Sequence, residues 1–269
     1  MKKILMFATL ADSCMFIACG NKANTSNTGN TSKDSLDMVK QEQADYIKAD
    51  KYETNKGELK VTLVGHGSVM FQFDGKTIQV DPYSNVTDYS KLPKADLIIL
   101  THEHSDHLDT MAIEAVKKGD THYIVSKVCN EILGYGDVMN NGDKTEWNGI
   151  TIEAVPAYNI VHKNPQGVHY HPKGRGNGYI FTFGDKKVYV AGDTENIPEM
   201  EALKGQMDIA FLPKNTPYTM TDDMFIDAAK KVMPKVLYPY HMSEFDEAKI
   251  AKALEGTNIK LEVRPMMNK

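Results

Sequence analysis

Between residues 58 and 265, short apolar runs stop abruptly at polar or turn-forming residues, and longer stretches between them repeat apolar positions three and four apart. The first pattern predicts strands and the second predicts helices. Glu58-Leu59-Lys60-Val61-Thr62-Leu63 alternates at period two, as a strand with one buried face does. Phe71-Gln72-Phe73 and Thr77-Ile78-Gln79-Val80 flank Asp74-Gly75, a dipeptide suited to a tight hairpin turn. Gly184-Asp185 joins Tyr179 to Phe183 with Lys187 to Ala191 in the same manner. Ala95 to Leu100, Ile150 to Val155 and Val236 to Tyr240 also read as strands, the first of them apolar and branched enough to be buried on both faces. Helices are predicted over Asp109 to Lys118, with Asp109 as its cap, and over Lys127 to Leu133, Thr221 to Val232 and Ser243 to Leu254. Hairpins mixed with βα units predict an α/β domain of two packed sheets flanked by helices.

The N-terminal part follows a different grammar. Lys2-Lys3 precedes a mostly apolar stretch from Ile4 to Ala18, which ends at Cys19. This resembles a bacterial lipoprotein signal, with residues 1–18 removed and Cys19 carrying the lipid. Asn21 to Ser35 is almost devoid of apolar side chains, a composition that cannot repay the entropy of ordering. A flexible tether over 19–57 is therefore expected, with a short helix from Met38 to Ala49 and the globular domain spanning 58–269. The expected location is the bacterial cell envelope, with a lipid anchor at Cys19 as the membrane contact; without signal function the alternative is cytoplasmic. Of Cys14, Cys19 and Cys129, the last would be left unpaired, and its helical, apolar surroundings suit a buried thiol.

The chemistry concentrates in Thr101-His102-Glu103-His104-Ser105-Asp106-His107, directly after a predicted strand. Imidazole nitrogens and carboxylate oxygens are ligands that zinc accepts. His102 and His104 can share one ion, while Asp106 and His107, beyond the bend, can reach a second. Two other apolar strands end the same way: Lys187 to Ala191 runs into Gly192-Asp193-Thr194, and Val236 to Tyr240 ends at His241.

His102, His104, Asp106 and His107 as HxHxDH, then Gly192-Asp193-Thr194 and a late His241, resemble the metallo-β-lactamase superfamily over about residues 58 to 265. The resemblance implies a four-layer αββα sandwich with two mixed sheets, and one or two metal ions at one edge of them. By it, His102 and His104 hold the first ion, Asp106, His107 and His241 the second, and Asp193 bridges. Gly65-His66-Gly67-Ser68, Asp81-Pro82 and Ala157-Tyr158-Asn159 look most like the branch of ascorbate-phosphate lactonases and uncharacterised metal-dependent hydrolases. Asp81 then resembles a carboxylate that orients a ligand, His66 lies near the cleft, and Tyr158 and Asn159 are candidates to meet substrate. There is one departure. Many members carry a third first-site histidine just after the strand that here is Ile150 to Val155, where this chain has Pro156-Ala157-Tyr158-Asn159. Water, Asn159 or one of His162, His169 and His171 is left to take its place; His171, nearest the next strand, is the chosen candidate for an active-site role beside Asp106.

A net charge of −5, with lysines and arginines scattered among acids, gives no footprint for nucleic acid. A small-molecule substrate is expected instead. The function implied is a hydrolase using metal-bound hydroxide on an ester, lactone, amide or phosphodiester bond. Zinc is the expected ion, one or two per chain, with manganese or iron as alternatives. Two other readings remain at this stage: an iron-dependent oxidoreductase of the same fold, and a surface binding protein with an impaired metal site.

Overall fold

The computed structural model describes residues 48–264. The expected signal, Cys19 and nearly all of the helix expected from Met38 lie outside that range. Lys48 and Ala49, its last two residues, are not helical.

Among the described residues, fourteen strands form two seven-stranded sheets, each in sequential order. The first contains β1 (Asp50–Thr54), β2 (Gly57–Gly65), β3 (Ser68–Phe73), β4 (Lys76–Val80), β5 (Leu97–Leu100), β6 (His122–Val125) and β7 (Asp137–Val138). The second contains β8 (Lys144–Trp147), β9 (Ile150–Ala157), β10 (Gly176–Phe183), β11 (Lys186–Val190), β12 (Ile209–Pro213), β13 (Val236–Tyr240) and β14 (Lys260–Leu261). Each sheet starts as an antiparallel meander and then turns parallel, at β4–β5 in the first and β11–β12 in the second. The hairpin at Asp74-Gly75 has both residues at positive φ, 47° and 71°, the twist that a two-residue turn between strands requires.

The inner faces of the sheets meet in one apolar layer. Phe71 of the first sheet lies 5.2 Å from Phe181 and 5.3 Å from Phe183 of the second, ring centre to ring centre. Helices α1 (Thr110–Val116) and α2 (Lys127–Leu133) cover the outside of the first sheet, α2 burying Cys129. Helices α3 (Asp222–Val232) and α4 (Glu247–Ala253) cover the second. The four-layer αββα sandwich is thus present. Asp109 caps α1 by accepting from the amides of Met111 and Ala112, and Thr221 caps α3.

Two boundaries differ from expectation. Helix α4 begins four residues after Ser243, because Asp246 is the residue that caps it. More consequentially, ordered structure starts before Glu58. Asp50–Thr54 pairs with Val61–Gly57 as an edge strand, although DKYET carries little apolar character. What fastens it is polar. Arg264 donates to both Asp50 carboxylate oxygens at 2.9 and 3.0 Å, and Tyr238 donates its hydroxyl to Asp50 at 2.7 Å. An edge strand needs one partner only, and charged residues suit its open side.

The parallel strands all deliver their C-terminal ends to one edge of the sandwich. β4 ends before Asp81, β5 before Thr101, β11 before Asp193 and β13 before His241. The loops that follow are where such sheets collect ligands.

Candidate metal centre

At that edge, imidazole and carboxylate atoms gather into two adjoining groups. His104 Nδ1 lies 3.2 Å from His102 Nε2 and 3.2 Å from His171 Nε2. Beside this triad, His241 Nε2 is 3.4 Å and His107 Nε2 3.8 Å from Asp106 Oδ2. Asp193 stands between them: its Oδ2 is 3.3 Å from His171 Nε2 and 3.4 Å from His241 Nε2, and its Oδ1 is 3.5 Å from His107 Nε2. Most of this is out of water, since His102, His107, His171, Asp193 and His241 are all buried. Asp106 is the more open carboxylate, its side chain 30% exposed against 3% for Asp193.

Each ring is oriented from behind. Thr101 Oγ1 donates to Asp81 Oδ2 at 2.5 Å, so toward His102 Nδ1, at 3.0 Å, it can only accept. His107 Nδ1 donates to Asp81 Oδ2 at 2.8 Å, and the same carboxylate accepts from the Thr101 amide. His171 Nδ1 donates to Asn159 Oδ1 at 2.7 Å. Asn215 Nδ2 lies 3.3 Å from His241 Nδ1, on the far side of that ring from Asp106 and Asp193. In His102, His107 and His171 these contacts place a proton on Nδ1 and turn Nε2 toward the cluster. Fixing the tautomer through the far nitrogen is how proteins orient metal-ligating histidines.

This arrangement does not satisfy itself. His102 and His171 point bare acceptors at His104, which has at most one proton to share. His107 Nε2, His241 Nε2 and Asp193 Oδ1 are buried with no hydrogen-bond partner among the described residues. Such orphans are costly unless something fills the space between them. Nitrogens bound to one tetrahedral zinc at about 2.0–2.1 Å stand about 3.3–3.4 Å apart, close to the separations in the triad. The donor set, its spacing and its orphaned atoms all fit divalent cations.

Electrostatics agree. Burial, reinforced by neighbouring imidazoles, pushes His102 well below the ordinary histidine range and lowers His104. Both are therefore neutral, as ligands must be. Burial would raise the carboxyls of Asp106 and Asp193, but the surrounding histidines more than offset it and hold both ionised. His107 goes the other way: burial pulls it down, but Asp193 and Asp81 raise it overall well above the ordinary histidine range.

The backbone is shaped around these groups. His66, Asp81 and His241 hold positive φ of 50°, 46° and 49°, conformations that cost non-glycine residues about 1–3 kcal/mol and that cluster at functional sites. Gly67 is pressed so closely on the cluster that a Cβ there would lie 2.7 Å from His107 Cε1. His66 Nε2 is 2.7 Å from Asp106 Oδ2, a hydrogen-bond length rather than a ligand-to-ligand spacing, so His66 steadies Asp106.

All six residues named as metal ligands in the sequence are thus brought together, with Asp81 and His66 supporting them. His171, the candidate chosen for the place of the missing third histidine, stands among the ligand atoms beside His104 and Asp193. Asn159 meets His171 rather than open space. Tyr158 is a correction. Its ring packs on the outer face of the second sheet, and its hydroxyl donates to Glu199 at 2.9 Å, so it faces away from the cluster. Thr101, Asn215 and Glu195 were missed. The first adjoins the motif and could have been read as part of it; no signal in the sequence marks the other two.

A sequence model of the β-lactamase superfamily domain matches residues 60–241. A UPF0173 metal-dependent hydrolase of Thermoplasma acidophilum is 33% identical over 211 residues, 72% of this chain and 91% of that one. Another, from Ligilactobacillus salivarius, is 30% identical over 200 residues, covering 71% of this chain and 88% of its own. Among solved structures, a candidate metal-dependent hydrolase from Parabacteroides distasonis is 46% identical with a TM-score of 0.78, covering 82% of this chain and 100% of that one. Igni18, a metallo hydrolase from Ignicoccus hospitalis, is 25% identical with a TM-score of 0.64, covering 78% of this chain and 96% of its own.

Proposed function

The chain belongs to the metallo-β-lactamase superfamily and, within it, to the UPF0173 metal-dependent hydrolases; from that premise we propose that it hydrolyses a small-molecule substrate at a two-cation centre. His102, His104 and His171 would hold one ion and Asp106, His107 and His241 the other, with Asp193 placed to serve both. Zinc suits this imidazole-rich set of nitrogen and oxygen donors. Bound there, a divalent cation supplies Lewis acidity, drawing electron density from a carbonyl or phosphoryl oxygen and acidifying water near neutral pH.

The protein's own part is orientation and charge. Asp81, Thr101 and Asn159 keep Nε2 of His107, His102 and His171 aimed inward. Asp106, ionised and the more open carboxylate, is the group that can accept a hydrogen bond from an attacking water at the cleft. His66 holds that carboxylate in place through a hydrogen bond to Oδ2. The ester, lactone, amide and phosphodiester bonds all fit this arrangement, because each needs a polarised oxygen and an oriented water. The observation that carries the reading is the set of inward-facing acceptors without donors. A retained, complete ligand set also favours an enzyme over a binding protein with an impaired site.

The test is turnover of an ester, lactone and phosphodiester panel by zinc-loaded protein and its Asp106→Ala variant. At least one substrate should be hydrolysed, and the variant should lose about 100-fold or more of that rate. An unchanged rate in the variant would overturn the role of Asp106, and no turnover with any loaded metal would overturn the hydrolase reading. We further propose attachment to the bacterial cell envelope through lipid at Cys19. Metabolic labelling with a palmitate analogue, lost in Cys19→Ser, checks it.

A further inference from the structure

His171 differs from the other candidate ligands in how it is delivered. His102, Asp193 and His241 lie just past strand ends, whereas His171 comes from the long connection between β9 and β10. Apolar burial holds that connection only in part: Tyr158 is buried at its start and Tyr170 packs 5.0 Å from Tyr218, ring centre to ring centre, but Ile160, Val161 and Val168 are all exposed, at 45%, 59% and 53%. Between Asn159 and His162 its polar hold on the domain converges largely on one side chain, Asn159 Nδ2 also donating to the Tyr218 carbonyl at 2.9 Å. Glu195 is fully buried. Its Oε2 accepts from the amides of Ile160 and Val161, both at 2.7 Å. Its Oε1 accepts from the His162 amide at 2.8 Å, from His162 Nδ1 at 2.6 Å and from Asn159 Nδ2 at 3.1 Å. Asn159 in turn grips His171 twice, accepting from its amide at 2.8 Å and from its ring at 2.7 Å. Glu195 also lies two residues beyond Asp193, so one short segment sets both the bridging carboxylate and the clamp.

We propose that Glu195 is the positioning residue on which the first metal site depends, acting through Asn159 to bring His171 to His102 and His104. This rests on the two-cation reading above and adds an asymmetry to it. The second site, built on Asp106, His107 and His241, makes no hydrogen bond to Glu195 or to residues 159–171 among those described. The two sites should therefore fail separately.

The experiment compares wild type with Glu195→Ala, Glu195→Gln and Asn159→Ala. Zinc-loaded protein is titrated with a chelator and the ions per chain are counted; metal-free protein is examined by ¹⁵N NMR for the His171 tautomer. Removing such a supporting group costs about 10- to 100-fold in metal affinity. Glu195→Ala and Asn159→Ala should release one ion at least about tenfold more readily, with the other ion changed less than about twofold. Glu195→Gln, which keeps one accepting oxygen, should fall between them and wild type, and decides the matter should the alanine variant not fold. In metal-free variants His171 should leave the Nδ1–H form. Unchanged affinity at both sites, or equal weakening of both, would overturn the proposal, the latter by making Glu195 a support of the whole fold. A wild type that binds no ion would overturn the two-cation reading instead, and the tautomer would still decide the clamp.

Discussion

Replacing Asp81 by asparagine separates the hydrogen bonds behind the ligands from the ligands themselves. The side chains have nearly the same shape, and Asp81 is buried, so the change is one of donors and acceptors. Oδ1 accepts from the Thr101 amide at 2.8 Å; Oδ2 accepts from Thr101 Oγ1 at 2.5 Å and from His107 Nδ1 at 2.8 Å. An asparagine NH2 placed at the first position opposes a backbone N–H. Placed at the second, it donates to His107 Nδ1, and the ring proton must move to Nε2. That atom is the one aimed at Asp106 and Asp193, so the proton would occupy the ligand lone pair. Either way at least one hydrogen bond to a charged group is lost, worth about 1.5–3 kcal/mol, or roughly 10- to 150-fold in an equilibrium constant. We expect Asp81→Asn to bind the ion at His107 weaker by about 10- to 100-fold in a chelator competition at pH 7, with a smaller effect at His102 through Thr101. Wild-type affinity at both sites would refute the argument that these contacts fix the tautomer.

Other consequences follow from single contacts. Gly67→Ala should displace His107 and His241 and lose the second ion selectively, because its Cβ would lie 2.7 Å from His107 Cε1; metal counting on the purified variant checks it. Asp50 is held below its ordinary range: burial would raise it, but Arg264 and Tyr238 outweigh that. Its contribution is therefore full above the unfolded value of about 3.9 and is lost as pH falls below it. The stability gap between wild type and Asp50→Asn, read as a urea midpoint difference, should be clear at pH 7 and narrow toward pH 3. Burial pushes the Cys129 thiol up to about 12, so native protein should react with a thiol reagent far more slowly than protein in denaturant.

The metal motif was legible because three histidines and an aspartate crowded at a strand end have no comparable structural use. Asp193 and His241 were legible for the same reason, each interrupting an apolar strand. β12 (Ile209–Pro213) went unread, although its apolar run is as strong a strand signature as that of β13. β1 could not be read, since its hold on the sheet comes from Arg264, more than two hundred residues away. His171 was chosen among the loop histidines for its nearness to the next strand alone; what places it is distant in sequence. Its place depends on Asn159 and Glu195, and neither a lone asparagine nor a glutamate beside a plausible ligand declares what it grips. Tyr158 was misassigned because adjacency to Asn159 in sequence says nothing about which side of the sheet its ring takes.

Counting the metal ions on chain purified without chelator or added metal, by elemental analysis against protein concentration, tests the central claim most directly. Two ions per chain, falling to about one in His171→Ala, is the result this account requires. A chain that carries none, and takes up none when zinc is supplied, would contradict it.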